Sequence, residues 1–173
     1  MKGIRLAALL GAALPAIAMA QGAPVAKAFR DDASAKGKNL IAAAEAMPAA
    51  DFLYKPTPAQ MSYANVLIHL AQGNDMLCAK IGGMTAPTRS KIAETDTKEV
   101  LVARLKETFA FCDQALAGLD DSKLAEEISL FGPKPMTRAA ILTLTTGDWA
   151  DHYSQMAVYL RLKGQLPPTA KKP

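Results

Sequence analysis

The chain has 173 residues, half of them hydrophobic, and a formal net charge of +4. That length holds one domain with a sizeable core rather than two, and that composition excludes a disordered chain. Alanine, leucine and methionine outweigh valine and isoleucine, which favours helix over sheet, and no basic stripe with interleaved aromatics is present to grip nucleic acid.

The first residues read as a signal peptide. Lys2 and Arg5 give a positive start, Leu6 to Ile17 is apolar, and Ala18-Met19-Ala20 has the small-x-small pattern of a cleavage site. Cleavage after residue 20 leaves Gln21 first, and residues 21–173 form the single domain. The apolar run is too short to span a membrane, so no stable anchor is expected after cleavage; a retained anchor is the alternative. Without Lys2 and Arg5 the basic residues fall from 20 to 18 against 16 acids, a net charge of +2. The expected location is a bacterial periplasm, or outside the cell.

Helical periodicity then runs through four segments. Ala23 to Met47 carries Val25, Phe29, Leu40, Ile41 and Ala44 as apolar positions, and Pro48 ends it. Pro48 to Met61 is a connection in which Pro56 and Pro58 forbid regular helix, with Phe52, Leu53 and Tyr54 tucked onto the core. Ser62 caps a second helix that runs to about Ile81, with Val66, Leu70, Gly73 and Leu77 in line and Gly82-Gly83 as its stop. After a loop containing Pro87, Asp96 with Glu99 three residues on has the form of a capping box. The third helix follows to about Ala117, through Val100, Leu101, Leu105, Thr108, Phe109, Cys112 and Leu116. A short turn at Ser122 to Glu126 and a rigid loop, Phe131 to Pro135, lead to the last helix, and no strand is expected.

That last helix spans Thr137 to Gly164, capped by the Thr137 hydroxyl and closed by Gly164 ahead of Pro167 and Pro168. Ile141, Thr145, Asp148, His152, Gln155, Tyr159 and Leu162 share one face, apolar at its ends and polar in the middle. Four amphipathic helices with long connections argue for an all-α four-helix bundle, with crossovers allowed.

The chain has two histidines, His69 and His152. Both fall on or near the core-facing side of their helices, and Asp148 lies one turn before His152. Two imidazoles and a carboxylate suit zinc, nickel, iron(II) or manganese, with coordination positions left for substrate. On spacing alone, an equally open reading is a hydrogen-bonded Asp148–His152 couple that steadies the bundle, with His69 an ordinary structural residue. Gln155 and Tyr159, further along the stripe, would orient a ligand or face substrate. Cys78 and Cys112 fall on helices two and three, at positions that could face each other in an antiparallel hairpin. They either form a disulfide in an oxidising compartment or remain two buried thiols.

The stretch DHYSQMAVYLRLKGQLPP resembles the final-helix signature of the DinB-like superfamily, the DinB/YfiT-like metalloenzymes. The matching positions are Asp148, His152, Ser154, Gln155, Tyr159, Leu160, Arg161, Gly164, Pro167 and Pro168. SYANVLIHLAQGNDMLCAKIGG is similar to the family's second helix, whose histidine corresponds to His69. The resemblance implies a four-helix bundle and a metal triad of three histidines from helices two and four. Here Asp148 stands where the first histidine of the pair would be, which implies either a shift towards harder metals such as iron(II) or manganese, or a member that has lost its metal.

Members of the family include transferases and isomerases that use small cellular thiols, and hydrolase-like enzymes; many pair through exposed helix faces. The resemblance therefore implies a divalent-metal-dependent enzyme of hydrolase or thiol-transferase type acting on a small molecule, with a homodimer open. The alternative is a non-catalytic bundle that binds a small ligand or a partner protein.

Overall fold

Four long helices carry the fold: α1 (Pro24–Ala46), α2 (Tyr63–Gly82), α3 (Lys98–Leu116) and α4 (Arg138–Leu162). The computed structural model describes residues 23–170, so the expected signal peptide lies outside the described residues. Local chemistry sets the helix ends. The hydroxyls of Ser62 and Thr137 accept from Asn65 N and Ala140 N at 3.1 and 3.2 Å. Gly83 and Gly164 take left-handed φ values of 67° and 74° that close α2 and α4. The start of α3 differs from expectation. Thr97, not Asp96, is its cap, and Asp96 instead accepts from Ala93 N at 2.9 Å to shape the preceding loop. The start of α1 is capped from afar, the Asp121 carboxylate accepting from Val25 N and Ala26 N at 3.1 and 2.7 Å.

Each helix packs on two others, in the ring α1–α4–α2–α3, so α1 and α2 stand on one diagonal and α3 and α4 on the other. The α1–α2 and α3–α4 connections therefore cross the bundle ends. Contacts fix the directions. Tyr63, at the start of α2, lies against Tyr159 near the end of α4, and Arg138, at the start of α4, donates to the Ile81 carbonyl at the end of α2; these two helices are antiparallel. Asn74 pairs with Thr108 and Cys78 with Cys112, both further along their helices in step, so α2 and α3 are parallel. The antiparallel hairpin expected for them is thus overturned. The segment 83–97 runs back along the bundle, and fifteen extended residues, roughly 50 Å at most, comfortably span a 20-residue helix of about 30 Å.

Cys78 and Cys112 form a disulfide with their Cα atoms 5.1 Å apart, and both are buried. Four residues on, a Cβ at Gly82 would collide with the Ala115 carbonyl, so this glycine lets the ends of α2 and α3 touch. In the centre lies Trp149, fully buried between the rings of Phe29 and Phe109 at centroid distances of 6.1 and 5.8 Å. Its indole N–H donates to Asn74 Oδ1 at 2.7 Å; Asn74 donates on to Thr108 at 3.1 Å, and Thr108 to the Leu105 carbonyl at 2.9 Å. Every polar atom of this core chain thus has a partner, as burial demands.

Val25, Leu53, Val100 and Leu162, expected in the core, are exposed. Val25, Val100 and Leu162 sit in the first or last turn of their helices. Leu53 lies on the α1–α2 connection, beside Phe52, which is buried. A two-residue antiparallel pairing of Glu127–Ile128 with Met136–Thr137 forms where no strand is expected; two residues are too few to show a period. The buried Arg138 ties this hairpin to the end of α2, donating to Lys80 O at 3.2 Å and to Glu126 at 2.6 Å. A cation there also suits the negative end of the helix.

Candidate metal centre

Antiparallel α2 and α4 face each other at mid-length, which brings His69 against Asp148 and His152. Each of the three offers a donor atom within 4.8 Å of the others. Asp148 and His152 are one turn apart, so their side chains stack on one face, with Asp148 Oδ1 and His152 Nε2 3.3 Å apart. The two imidazole rings meet edge to face, with centroids 4.8 Å apart and planes at 64°.

Burial is graded across the group. His152 is buried, Asp148 is half-buried, and His69 is exposed. His69 thus lies on the solvent side rather than towards the core, because Leu70 and Leu77 take the inward face and residue 69 is turned about a quarter of a turn from them. The site lies at the solvent edge of the α2–α4 interface rather than deep in the core. Opposite Asp148, α2 presents Gly73, where a Cβ would come 3.9 Å from Asp148 Oδ2. Sequence reading placed Gly73 in the helix line and missed its position at the site, since only the packing of α4 reveals it.

The donor set fits a metal ion. Two ligands on one tetrahedral ion at about 2.0–2.2 Å stand roughly 3.3–3.6 Å apart, which is the Asp148–His152 spacing. The third candidate donor, His69, is exposed at the solvent side of the group. Gln155 Oε1 lies 3.2 Å from His152 Nδ1, and an amide oxygen only accepts, so Gln155 favours a proton on Nδ1; Nε2, on the Asp148 side, donates to that carboxylate in the protonated ring and is the nitrogen that would meet an ion. Gln155 Nε2 in turn reaches the Tyr159 hydroxyl at 3.5 Å, and that hydroxyl donates to the Met61 carbonyl at 2.9 Å. The two residues expected to orient a ligand therefore form one chain from the imidazole to the α1–α2 connection.

The connection is held there. Lys163 pairs with Asp51 at 2.7 Å and stands over the Tyr54 ring, which meets Tyr159 edge-on. At the other end of α2's first turn, Glu94 accepts from Ser62 and Asn65 at 2.8 and 2.6 Å, bringing the returning loop within one turn of His69. Asp151, next to His152 in sequence, is exposed as expected.

Hydrogen bonding to the Asp148 carboxylate raises the His152 pKa above its ordinary value, against the opposing effect of burial. Burial raises that of Tyr159. Neither tyrosine hydroxyl of this region is set up to ionise near neutrality, since burial also pushes the Tyr63 phenol far up.

Residues 34–156 match the DinB superfamily. The fold is shared with solved structures. A DinB-like protein from Bacillus subtilis is 22% identical, with a TM-score of 0.67 over 84% of this chain and 99% of its own. A DinB-like protein from Bacillus cereus is 14% identical, with a TM-score of 0.68 over 82% and 95%. A conserved protein from Enterococcus faecalis is 16% identical, with a TM-score of 0.62 over 80% and 96%. No curated protein matches the chain.

Proposed function

The chain belongs to the DinB superfamily, and on that premise we propose that it is an exported enzyme of hydrolase or thiol-transferase type, working with a divalent transition metal held by His69, Asp148 and His152. The observation that carries this reading is the convergence of three donors from two helices within 4.8 Å, at a point open to solvent on the His69 side. A divalent ion there supplies Lewis-acid polarisation of a substrate oxygen or sulfur. The chain's own residues do the rest. Gln155 keeps the His152 proton on Nδ1, Tyr159 holds Gln155, and Gly73 leaves room beside Asp148 for a small-molecule substrate. Export is supported by the signal-peptide reading and by the Cys78–Cys112 disulfide, since such bonds persist in oxidising compartments.

The test is elemental analysis of untagged mature protein from the periplasm, beside His152→Ala. About one equivalent of zinc, iron, manganese or nickel, lost in the variant, is the expected result. A wild-type protein that stays metal-free after loading with each of the four ions sinks the reading. Finding the uncleaved chain in the cytoplasm sinks the export part.

A second reading has one observation in its favour. The chain Asp148–His152–Gln155–Tyr159–Met61 is bonded throughout by protein atoms alone. On this reading the pair is structural in a non-catalytic bundle, and replacing both Asp148 and His152 with leucine preserves or raises thermal stability.

A further inference from the structure

We infer that the metal centre and a groove beside it form one bipartite site, whose ligand carries a polar head for His69, Asp148 and His152 and an apolar arm, uncharged or anionic, laid along α2. The head of this ligand rests on the metal reading; the arm rests on the groove. A groove of about 490 Å³ runs along the outer face of α2, between Met76 and Ala79 on the helix and Met84 to Ala86 folding back from its end. That volume is in the range of small-molecule sites.

Helix geometry sets the groove on the same side of α2 as His69. Gln72, at its near end, and Met76 follow His69 by three and seven residues, so all three share one helix face. The seven-residue offset is roughly 10 Å along the helix, the reach of a medium-length alkyl chain. Two methionines form the walls, and their flexible thioethers adapt to a chain of no fixed shape. The far wall is fixed in place, since Met84 N–H donates to the Ala79 carbonyl at 2.9 Å, yet the Met84 side chain stays 46% exposed.

Charge decides what kind of arm fits. Asp75 borders the groove, but both its oxygens are taken by Arg89, at 2.6 and 3.0 Å. Lys80 stands exposed at the other border, with no ion pair among the described residues. The groove is therefore apolar with a positive rim, which disfavours a cationic arm and suits one that is neutral or ends in a carboxylate.

The test uses zinc-loaded mature protein and aceto-, hexano- and octanohydroxamate, whose heads are metal ligands and whose tails differ in length. Affinity by calorimetry is expected to rise by up to about fourfold for each added methylene, the value for full burial, and at least tenfold from the shortest to the longest. Met84→Asp should remove most of that gain while leaving acetohydroxamate binding unchanged. Equal affinity across the series, or a gain untouched by both Met84→Asp and Met76→Gln, overturns the groove with the metal reading intact. In metal-free His152→Ala protein, octanoate should still bind, and weaken severalfold in Met84→Asp and in Lys80→Glu; this judges the groove alone. Protein that retains none of zinc, iron(II), manganese or nickel overturns the bipartite site and the metal reading together. Circular dichroism and melting of each variant confirm that the fold persists.

Discussion

Asp148 Oδ1 stands 3.3 Å from His152 Nε2, while Gln155 Oε1 takes the other nitrogen of the same ring at 3.2 Å. Both neighbours favour the protonated imidazole, and its pKa is raised above the ordinary 6.5. A pKa raised on folding adds stability that is present below the unfolded value, near 6.5, and is lost as pH rises through the native value. The metal-free protein should therefore exceed Asp148→Asn in melting temperature by most at about pH 5.5–6.5, with the gap closing above that range. Metal uptake runs the other way, because a ligand must be neutral: affinity falls as pH drops through the native value. Melting scans of both proteins across pH check the first part, and a gap that widens with pH contradicts it.

Asp148→His restores three imidazoles at the site. Nitrogen ligands favour zinc and nickel, whereas the carboxylate favours iron(II) and manganese. The variant should bind zinc more tightly relative to manganese, by roughly tenfold or more. Competition between the two ions, measured in wild type and variant side by side, reads this directly. An unchanged ratio would mean that Asp148 does not touch the ion.

Gln155→Leu leaves His152 without a partner on Nδ1. Losing such an orienting bond lowers metal affinity by roughly 10- to 100-fold. Tyr159→Phe acts one bond further out and should cost less in affinity. It should, however, loosen the Met61 end of the α1–α2 connection, seen as faster amide exchange there. Nitrogen NMR of His152 in metal-free protein, above its native pKa, should show more of the proton on Nδ1 in wild type than in Gln155→Leu. The same tautomer in both would remove Gln155 from this role.

The Cys78–Cys112 bond closes a loop of 34 residues between two parallel helices. Loop-closure entropy assigns such a cross-link roughly 4 kcal/mol at 25 °C. Denaturant unfolding of the double variant Cys78→Ala/Cys112→Ala, and of reduced wild type, should both show a loss of this order. The bundle should remain helical, because Gly82 against Ala115 and Asn74 against Thr108 hold the same helix pair.

Trp149 is the chain's single tryptophan, so its fluorescence reports the core alone. Asn74→Leu leaves the indole N–H without a partner, while the Thr108 hydroxyl loses the bond it accepts and keeps the one it donates to the Leu105 carbonyl. The expected cost is about 1–3 kcal/mol, with a shift in emission. Thr108→Val should cost less, since Asn74 keeps its bond to Trp149. Equal stability of Asn74→Leu and wild type would show that the buried polar chain contributes nothing net.

What the sequence determined by itself is local. Helix ends are legible because caps and stops act within a few residues: the Ser62 and Thr137 hydroxyls on N–H groups three residues on, and left-handed glycines at 83 and 164. The Asp148–His152 couple is legible because i,i+4 neighbours on a helix must stack. Spacing left His69 open between ligand and structural residue, the resemblance favoured the ligand, and the meeting of its ring with that of His152 needs α2 laid antiparallel on α4. Tertiary structure alone decided helix direction. A 15-residue return segment permits either hand of pairing, and only the packing of Cys78, Asn74 and Gly82 on α3 makes the pair parallel. It also decided which apolar side chains face water, because a helix's own period does not show what packs against each turn. The mouth of the site, with His69 outside and His152 inside, follows from the same cause: periodicity gives a residue's angle on its own helix, and packing gives what lies in that direction.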